Sequence, residues 1–310
     1  MYEEILEGIF KTNSVETDQG KADYLRSLQP YSRALWEIYQ KPSNKGRVTI
    51  NYSDPKVQEA YLLRYVPSYS YMLLDILDIV RDSGHILPES HRMRAAFFGC
   101  GPLTELCGIT GHLDAHYGQV KALSIAAVDS ASHSWSHTRS IIENYLERPF
   151  WSPRSLDIEE VVADIQATDD IGGIDMRDVA LGVAQNCFNE VPPAYRQDAV
   201  KNVIDAFSRM KPGAIGLIID RSGYPATEQM FLKAKELAAE SLNLTRLPLL
   251  GDGFSFELKT RPILSNLPEV IRHNFMHVYG DRSPEDWDTH GLIFANKIRY
   301  HAMAFEVLEK

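Results

Sequence analysis

Apolar residues in the first ninety positions recur with the spacing of amphipathic helices. Five of them share one helical face near the start: Tyr2, Ile5, Leu6, Ile9 and Phe10. Further helical patterns cover 24–28 and 31–39, and a capping acid followed by proline at Asp54-Pro55 predicts a third helix start. Pro67 is expected to kink or end that helix before another apolar helix at 69–80. Residues 41–55 are predicted to form a loop with a short strand at 48–50.

Beyond position 90, short apolar runs alternate with longer amphipathic segments. The predicted strands are 94–98, 122–128, 158–163, 179–184, 214–219, 254–258 and 301–307. The predicted helices between them include 104–117, 134–146, 194–210 and 227–242. This alternation is typical of parallel βαβ units with helices on both faces of a sheet. The predicted fold class is therefore α/β: a Rossmann-like, doubly wound sheet of seven strands, preceded by an N-terminal helical region.

The pattern divides the chain into a helical region at 1–90 and a sheet domain at 91–310. The last two predicted strands have no clear crossover helix between them, so we expect them to pair antiparallel at an edge. The segment 266–297 between these strands is too long for a hairpin loop. It is predicted to be an insertion or a lid.

Composition and charge mainly argue against particular classes of function. Lys and Arg number 32 against 42 Asp and Glu, a formal net charge of −10, which argues against a global electrostatic grip on nucleic acid. Three cysteines, Cys100, Cys107 and Cys187, lack the close spacing of a metal framework, so we expect a reducing, cytoplasmic compartment. No run approaches the roughly 18 apolar residues of a membrane span, and the acidic N-terminus is unlike a signal peptide.

The sequence RAAFFGCGPLTELCGI, from Arg94 to Ile109, carries the strongest local signal. An apolar strand runs directly into Gly99-Cys100-Gly101-Pro102, and a helix follows. Glycines allow a tight turn and a close approach of bare backbone to a ligand. The following helix offers free N–H groups and a positive dipole end. The motif therefore predicts a ligand site, although a tight strand-to-helix turn without a ligand explains a lone Gly-x-Gly equally well.

Polar residues at the ends of the next strands add to this prediction. Asp129-Ser130 follows the second strand, where an acid is placed to bind ribose hydroxyls. Asp164-Ile165 follows the third strand. Four polar residues, Gln185, Asn186, Asn189 and Glu190, follow the fourth. Because the carboxyl ends of parallel strands share one edge of the sheet, these side chains are expected to meet the glycine turn there.

This series resembles the class I methyltransferases that use S-adenosylmethionine (SAM), over residues 92–310. The resemblance implies that the turn Gly99, Cys100, Gly101 and Pro102 holds the methionine end of SAM. It further implies that Asp129 and Ser130 bind ribose and that Asp164 and Ile165 lie near adenine. Glu105, Gln185 and Asn186 are expected to complete the cofactor site, with Glu105 near the amino group. The implied function is methyl transfer to an unidentified small or macromolecular acceptor, leaving S-adenosylhomocysteine as product.

The sequence departs from the family pattern at two positions. Phe97 stands where the family often has an acid two residues before the first glycine, and Leu103 replaces the third glycine. A non-catalytic binding module with a SAM fold therefore remains an alternative. A dehydrogenase that uses NAD is a poorer fit, because Thr104 would have to take the third glycine position of Gly-x-Gly-x-x-Gly.

Two narrower likenesses concern particular segments. AYLLRYVPSYSYMLL, CFNEVPPAYRQDAV and IIDRSGYPATEQMFLKAKEL resemble methyltransferase-like proteins associated with assembly of the small ribosomal subunit. FFGCGPLTE is similar to the corresponding turn of nicotianamine synthases, which consume the aminopropyl group of SAM. The second likeness keeps aminopropyl transfer open as another reaction.

Catalytic candidates are fewer. Asn189 and Glu190 follow the fourth strand, where methyltransferases often place groups near the reacting methyl, and Tyr69 is expected to touch the substrate from the helical wall. Tyr65, Tyr71, His277 and Trp287 are expected in covering segments, although core and helix packing is the favoured explanation of the tyrosines. Three His-x-x-x-His pairs (His112/His116, His133/His137 and His273/His277) lack a His-Glu-x-x-His signature, so no metal is predicted.

Overall fold

The computed structural model of the 310-residue chain describes residues 1–40, 49–88, 90–223, 225–249, 255–259, 263, 265–275 and 297–309. Three helices precede the sheet: α1 (Tyr2–Thr12), α2 (Asp18–Gln40) and α3 (Pro55–Asp82). The helix start at Asp54 is confirmed, since its side chain accepts a hydrogen bond from the Lys56 N–H at 2.9 Å. Thr49 and Ile50 are not in a strand, and Val48 lies outside the described residues.

Pro67 does not end the helix, because α3 runs through this proline as one helix of 28 residues. The expectation of an end there is wrong, and a kink at Pro67 stays a prediction. Proline removes one backbone hydrogen bond and crowds the preceding turn. Residues on both sides of Pro67, including Leu63 and Leu73, are fully buried. Tertiary packing of this kind supplies most of a helix's stability in a folded protein, so it outweighs the local cost.

The sheet has eight strands among the described residues. They are β1 (Arg92–Phe98), β2 (Ala122–Val128), β3 (Ser155–Val161), β4 (Val179–Gln185), β5 (Ile215–Arg221), β6 (Leu244–Leu247), β7 (Ser255–Lys259) and β8 (Lys297–Val307). The spatial order is β3-β2-β1-β4-β5-β8-β6, and β7 pairs with β8 beside β6. The first five strands are parallel, and β8 is antiparallel to β5. The predicted doubly wound α/β fold is confirmed.

Helices cover both faces of this sheet. The remaining helices are α4 (Thr104–His116), α5 (Ser136–Ile141), α6 (Arg148–Trp151), α7 (Thr168–Gly172), α8 (Arg196–Ser208), α9 (Pro225–Glu240) and α10 (Glu269–Asn274). A 3-10 turn at Ser132–Trp135 precedes α5, and a π-helical turn at Ile142–Glu147 joins α5 to α6.

Three strand predictions need correction. The third strand ends at Val161, three residues before Asp164, so that acid lies in the loop beyond the strand. β6 was not expected, since Leu244–Leu247 is short and half polar. The last strand is not at an edge, because β8 lies between β5 and β6 and pairs with both. The described part of the chain therefore has eight strands where seven were predicted.

Two apolar cores lie on opposite faces of the sheet. Alternate residues of β1 divide between them: Ala95 and Phe97 join the core beneath the N-terminal helices and α4, whereas Ala96 and Phe98 join the core beneath α8 and α9. The N-terminal helices thus share a core with one face of the sheet. No helix among the described residues has the length and apolar character that a bilayer span requires.

Candidate cofactor site at the switch point of the sheet

The functional candidate is a cavity of about 200 Å³ at the carboxyl ends of β1, β2 and β4. The chain leaves β1 toward β2 on one side and reaches β4 on the other. Open α/β sheets bind their ligands at such a reversal of strand order. Thirteen of the fourteen site residues predicted from the sequence line this cavity: Tyr69, Gly99, Cys100, Gly101, Pro102, Glu105, Asp129, Ser130, Asp164, Ile165, Gln185, Asn186 and Glu190.

The glycine turn between β1 and α4 has left-handed backbone at three positions. Gly99, Gly101 and Leu103 have φ values of 60°, 49° and 70°. A Cβ on Gly99 would lie 2.4 Å from the Cβ of Cys187, and one on Gly101 would lie 3.3 Å from the Trp135 ring. The glycines therefore make room for these two side chains of the same protein, in addition to allowing the strained turn.

Asp129 joins the loops that follow β1 and β2. Its Oδ2 accepts a hydrogen bond from the Gly101 N–H at 2.9 Å, and its Oδ1 accepts one from the Ala131 N–H at 2.7 Å. Only 8% of Asp129 is exposed. Each carboxylate oxygen can accept a second hydrogen bond. The carboxylate is thus held in a fixed orientation at the cavity wall, with acceptor capacity left for a ligand.

Arg139, on α5, is buried and binds the glycine turn. The sequence did not indicate this contact. Its Nε donates to the Gly101 carbonyl at 2.8 Å, and its guanidinium also hydrogen-bonds the Ser132 hydroxyl and lies 3.5 Å from a Glu160 carboxylate oxygen. Buried guanidinium groups occur where they are paired. Arg139 therefore fixes the glycine turn from outside the cavity.

Several buried polar atoms at the cavity have no hydrogen-bond partner within the described part of the chain. They are Oε1 of Glu105, Oε1 of Gln185 and both side-chain amide atoms of Asn186. Asn186 also has a left-handed φ of 55°, which holds its side chain at the end of β4. Buried polar atoms without partners are costly and rare in folded proteins. The arrangement is therefore suited to a polar ligand that completes these hydrogen bonds.

Glu105 is the acid among these residues, and 1% of its surface is exposed, against 8% for Asp129. Burial raises the pKa of its carboxyl to about 8. Thr104 donates a hydrogen bond to its Oε2 at 3.1 Å, which leaves Oε1 as the atom without a partner. A ligand cation at this position would favour the ionised carboxylate.

The loop after β3 forms the far wall. Asp164 accepts hydrogen bonds from the backbone and side-chain N–H groups of Gln166 at 2.9 and 3.0 Å. The Ile165 carbonyl accepts a hydrogen bond from Asn202 on α8 at 2.9 Å, which fixes this loop to the helix layer. The loop thus offers the cavity an apolar side chain beside polar groups.

An aromatic wall of Tyr52, Tyr61, Tyr69 and Trp135 closes the side toward α3. The rings of Tyr52 and Trp135 are 4.2 Å apart between centroids, and those of Tyr61 and Trp135 are 5.6 Å apart. Gln58 holds this wall in place, because its side-chain amide bonds the carbonyls of Tyr52 and Ser134. Tyr69 therefore lies in the cavity wall together with Tyr52 and Trp135, and its covering role stays a prediction.

Glu190 meets the aromatic wall at the end of β4. The Tyr52 hydroxyl donates to its Oε1 at 2.7 Å, and the Tyr39 hydroxyl lies 3.4 Å from the same oxygen. Burial raises the pKa of Glu190 to about 7, although the Tyr52 hydrogen bond lowers it. A carboxyl with this pKa can take or give a proton near neutral pH.

Asn189 is the predicted site residue that does not line the cavity. Its Nδ2 donates to Oδ1 of Asp220 at 2.5 Å, and its Oδ1 accepts a hydrogen bond from Thr227 at 3.3 Å. The 3-10 turn at Phe188–Glu190 directs these neighbours differently, so that Glu190 lines the cavity and Asn189 binds β5 and α9. The structure therefore places Asn189 in the contact between β5 and α9 and outside the cavity lining, contrary to the expectation that it lies at the reacting methyl.

The remaining candidates lie elsewhere. Tyr65 stacks on Tyr69, with ring centroids 5.5 Å apart, whereas Tyr71 lines a separate cavity near α1. His137 contacts Glu59 through its Nε2 at 2.7 Å rather than the cavity. His277 and Trp287 lie outside the described residues, so a covering role for 266–297 stays a prediction.

Comparisons with known proteins give likenesses to solved structures. No protein-family model matches the sequence, and no curated protein matches it. The SeMet-substituted CurJ carbon methyltransferase is 11% identical, with a TM-score of 0.43 and coverage of 95% of this chain and 72% of that chain. An O-methyltransferase family protein from Burkholderia thailandensis is 13% identical, with a TM-score of 0.42 and coverage of 94% and 71%. CrArsM, an arsenic(III) S-adenosylmethionine methyltransferase from Chlamydomonas reinhardtii, is 12% identical, with a TM-score of 0.40 and coverage of 79% and 73%.

Proposed function

We propose that this protein is a SAM-dependent methyltransferase. The observation that carries the proposal is the set of buried polar atoms around the cavity, Glu105 Oε1, Gln185 Oε1 and the Asn186 amide, which have no partner among the described residues. The amino and carboxylate groups of a bound amino acid would complete such hydrogen bonds. They surround the turn after β1 at the point where α/β sheets bind ligands.

The lining residues match the chemistry of the separate parts of SAM. Glu105 and Gln185 would hold the methionine amino group, and the Asn186 amide would serve either end of the amino acid. Asp129, fixed by two backbone N–H groups, would accept hydrogen bonds from the ribose hydroxyls. Ile165 and Asp164 would flank adenine. Rings such as Tyr61 and Trp135 favour a nearby positive charge, which the sulfonium carries.

When bound, SAM supplies a methyl group on a positively charged sulfur. The protein's remaining tasks are alignment of an acceptor atom and removal of a proton from it where one is present. Glu190 is our candidate for the second task, because its raised pKa and its Tyr52 hydrogen bond hold a carboxyl at the cavity that exchanges a proton near pH 7. The acceptor stays unassigned.

Calorimetric titration with SAM tests the proposal without knowledge of the acceptor. Asp129→Ala removes two carboxylate oxygens, and hydrogen bonds of a charged group contribute about 1.5–3 kcal/mol, so SAM affinity is expected to fall roughly tenfold to a hundredfold. Asp157→Ala, at an exposed position on β3, is the matched control and should bind like the parent. Absence of SAM binding by the folded parent would refute the function, and unchanged affinity of folded Asp129→Ala would refute the ribose role.

The sulfur-containing product separates methyl transfer from its alternatives. The protein is incubated with radiolabelled SAM and with fractionated cell extract as a source of acceptor. S-adenosylhomocysteine is the expected product. Methylthioadenosine would instead indicate aminopropyl transfer. Tight SAM binding with neither product from any fraction would favour a non-catalytic binding module.

A further inference from the structure

A cluster of metal-ligand side chains lies between α3 and α4, apart from the candidate cofactor site. The Nδ1 atom of His112 is 2.7 Å from Oδ1 of Asp78, and the Nε2 atom of His116 is 3.2 Å from the same oxygen. All three ligand atoms lie within 4.8 Å of one another. Two imidazole nitrogens therefore converge on one carboxylate oxygen, at distances short enough for a single ion to replace the hydrogen bonds.

We propose that Asp78, His112 and His116 form a binding site for a divalent transition metal, with zinc as the representative ion. Two imidazoles and one carboxylate are a donor set that suits zinc, and three protein ligands leave a fourth position for water. Zinc–ligand bonds of about 2.0–2.2 Å in a tetrahedron place the donor atoms about 3.3 Å apart. The present separations, 2.7 and 3.2 Å to Asp78 and at most 4.8 Å between the two ring nitrogens, span a range that includes that value.

The helices that carry the ligands are closely packed. His112 and His116 are four residues apart on α4, so their rings share one face, and their centroids are 5.0 Å apart. α3 approaches that face closely, because Gly108 has no side chain where a Cβ would lie 2.7 Å from the Ser70 carbonyl. The Ser70 hydroxyl also bonds the Thr104 carbonyl at 2.8 Å. Sites on rigid elements keep their geometry better than sites on loops.

The cluster is accessible to a metal from solvent. The side chains of Asp78 and His116 are 39% and 25% exposed, whereas His112 is 1% exposed and forms the floor. Metal ligation requires an unprotonated nitrogen on each ring. Each ring would therefore bind the metal in its neutral form, with the proton on the nitrogen that does not ligate.

Among the described residues, Arg81 is the cation that contacts His116, and this contact must change. Its guanidinium contacts Nδ1 of His116 and also bonds Oδ1 of Asp82 at 2.5 Å. Once Nδ1 of His116 carries the proton it can no longer accept a hydrogen bond from Arg81. Arg81 keeps its carboxylate partner Asp82, so this rearrangement leaves no charge unpaired.

The test is titration of the chelator-treated 310-residue chain with Zn²⁺ alone. We expect one equivalent to bind and to raise the unfolding temperature. His116→Ala and Asp78→Asn change partly exposed groups and should each weaken Zn²⁺ binding at least tenfold. His273→Ala is the matched control, because His273 faces one carboxylate, Glu269, at 3.4 Å and belongs to no three-ligand cluster among the described residues.

Substitution with Co²⁺ gives a second measurement that needs no variant. Bound cobalt in a tetrahedral site of nitrogen and oxygen ligands should develop a strong visible absorption, and Zn²⁺ should displace it at one equivalent. Failure of the parent protein to bind a stoichiometric amount of either metal would overturn the proposal. So would equal Zn²⁺ affinity of the parent and folded His116→Ala.

Discussion

At the scale of single residues, the acids around the cavity differ in what fixes them. Asp129 is held by two backbone N–H groups, Glu190 by tyrosine hydroxyls, and Glu105 by one threonine hydroxyl. Burial raises the pKa of both glutamates, to about 7 for Glu190 and about 8 for Glu105. Environment, rather than residue type, therefore determines which of these groups can exchange a proton near neutral pH.

The pKa of Glu190 can be measured directly. We expect the carboxyl ¹³C resonance of labelled Glu190 to titrate near pH 7. Tyr52→Phe deletes the hydrogen bond that lowers this pKa, so the midpoint should move to a higher pH. A midpoint near 4.5 in the folded parent would contradict the burial argument.

The same titration predicts a pH dependence of methyl transfer. A proton acceptor must be ionised, so kcat/KM should rise with pH through about 7 if Glu190 serves as the base. The midpoint of the rate profile should shift upward in Tyr52→Phe together with the NMR midpoint. If the midpoint of the rate profile is the same in Tyr52→Phe as in the parent, Glu190 is not the proton acceptor.

At the scale of elements, the contact between α3 and α4 joins the aromatic wall to the glycine turn. Gly108 permits that contact, since an added Cβ would lie 2.7 Å from the Ser70 carbonyl and 3.0 Å from the Leu73 Cβ. Gly111 lies on the same helix with open space around it. These two glycines form a matched pair in which only the packing differs.

Gly108→Ala is expected to destabilise the fold by about 1–3 kcal/mol, because the helices must separate to admit the methyl group. Gly111→Ala should stabilise it by up to about 1 kcal/mol through helix propensity. Denaturant unfolding of both variants measures the difference. Equal effects of the two substitutions would mean that α3 and α4 are not in close contact.

The sequence predicted those helix and strand positions that are determined by local residue patterns. The strand that runs into Gly99 and the helix start at Asp54 follow from apolar periodicity and cap chemistry, and both were confirmed. Tertiary contacts decide the rest. Pro67 remains inside α3 because of packing, and the 3-10 turn directs Asn189 away from the cavity. Trp135 and Arg139 could not be assigned, since nothing in their neighbouring residues indicates contact with the glycine turn.

At the scale of the whole molecule, buried carboxyls make stability depend on pH. Burial raises the pKa of Glu105 to about 8 and the pKa values of Glu190 and Asp220 to about 7. In the unfolded chain such groups ionise near 4, so between pH 4 and 8 the folded state binds more protons. These three carboxyls therefore lower the free energy of unfolding as pH rises across this range.

The decline in the free energy of unfolding should be clearest between pH 6.5 and 8. Below this window His112 acts in the opposite direction, because burial lowers its pKa and the unfolded state then binds the extra proton. We expect a decline on the order of a few kcal/mol across the window, measured by denaturant unfolding at each pH. Glu105→Gln should reduce the slope, whereas Asp157→Asn, at its exposed position, should not. Stability that rises across this window would contradict the burial of these acids.

The position of β8 has a consequence for how the protein is made. β8 comes last among the described strands, yet β5, β6 and β7 all pair with it. Arg221 of β5 lies opposite Tyr300, and Leu244 of β6 lies opposite Val307. While the ribosome is still translating the codons before residue 297, these three strands lack that partner, and an unpaired strand edge is a template for pairing with other chains. Chains that stop at residue 296 should therefore bind holdase chaperones and aggregate once released from the ribosome, whereas released chains that contain β8 should not.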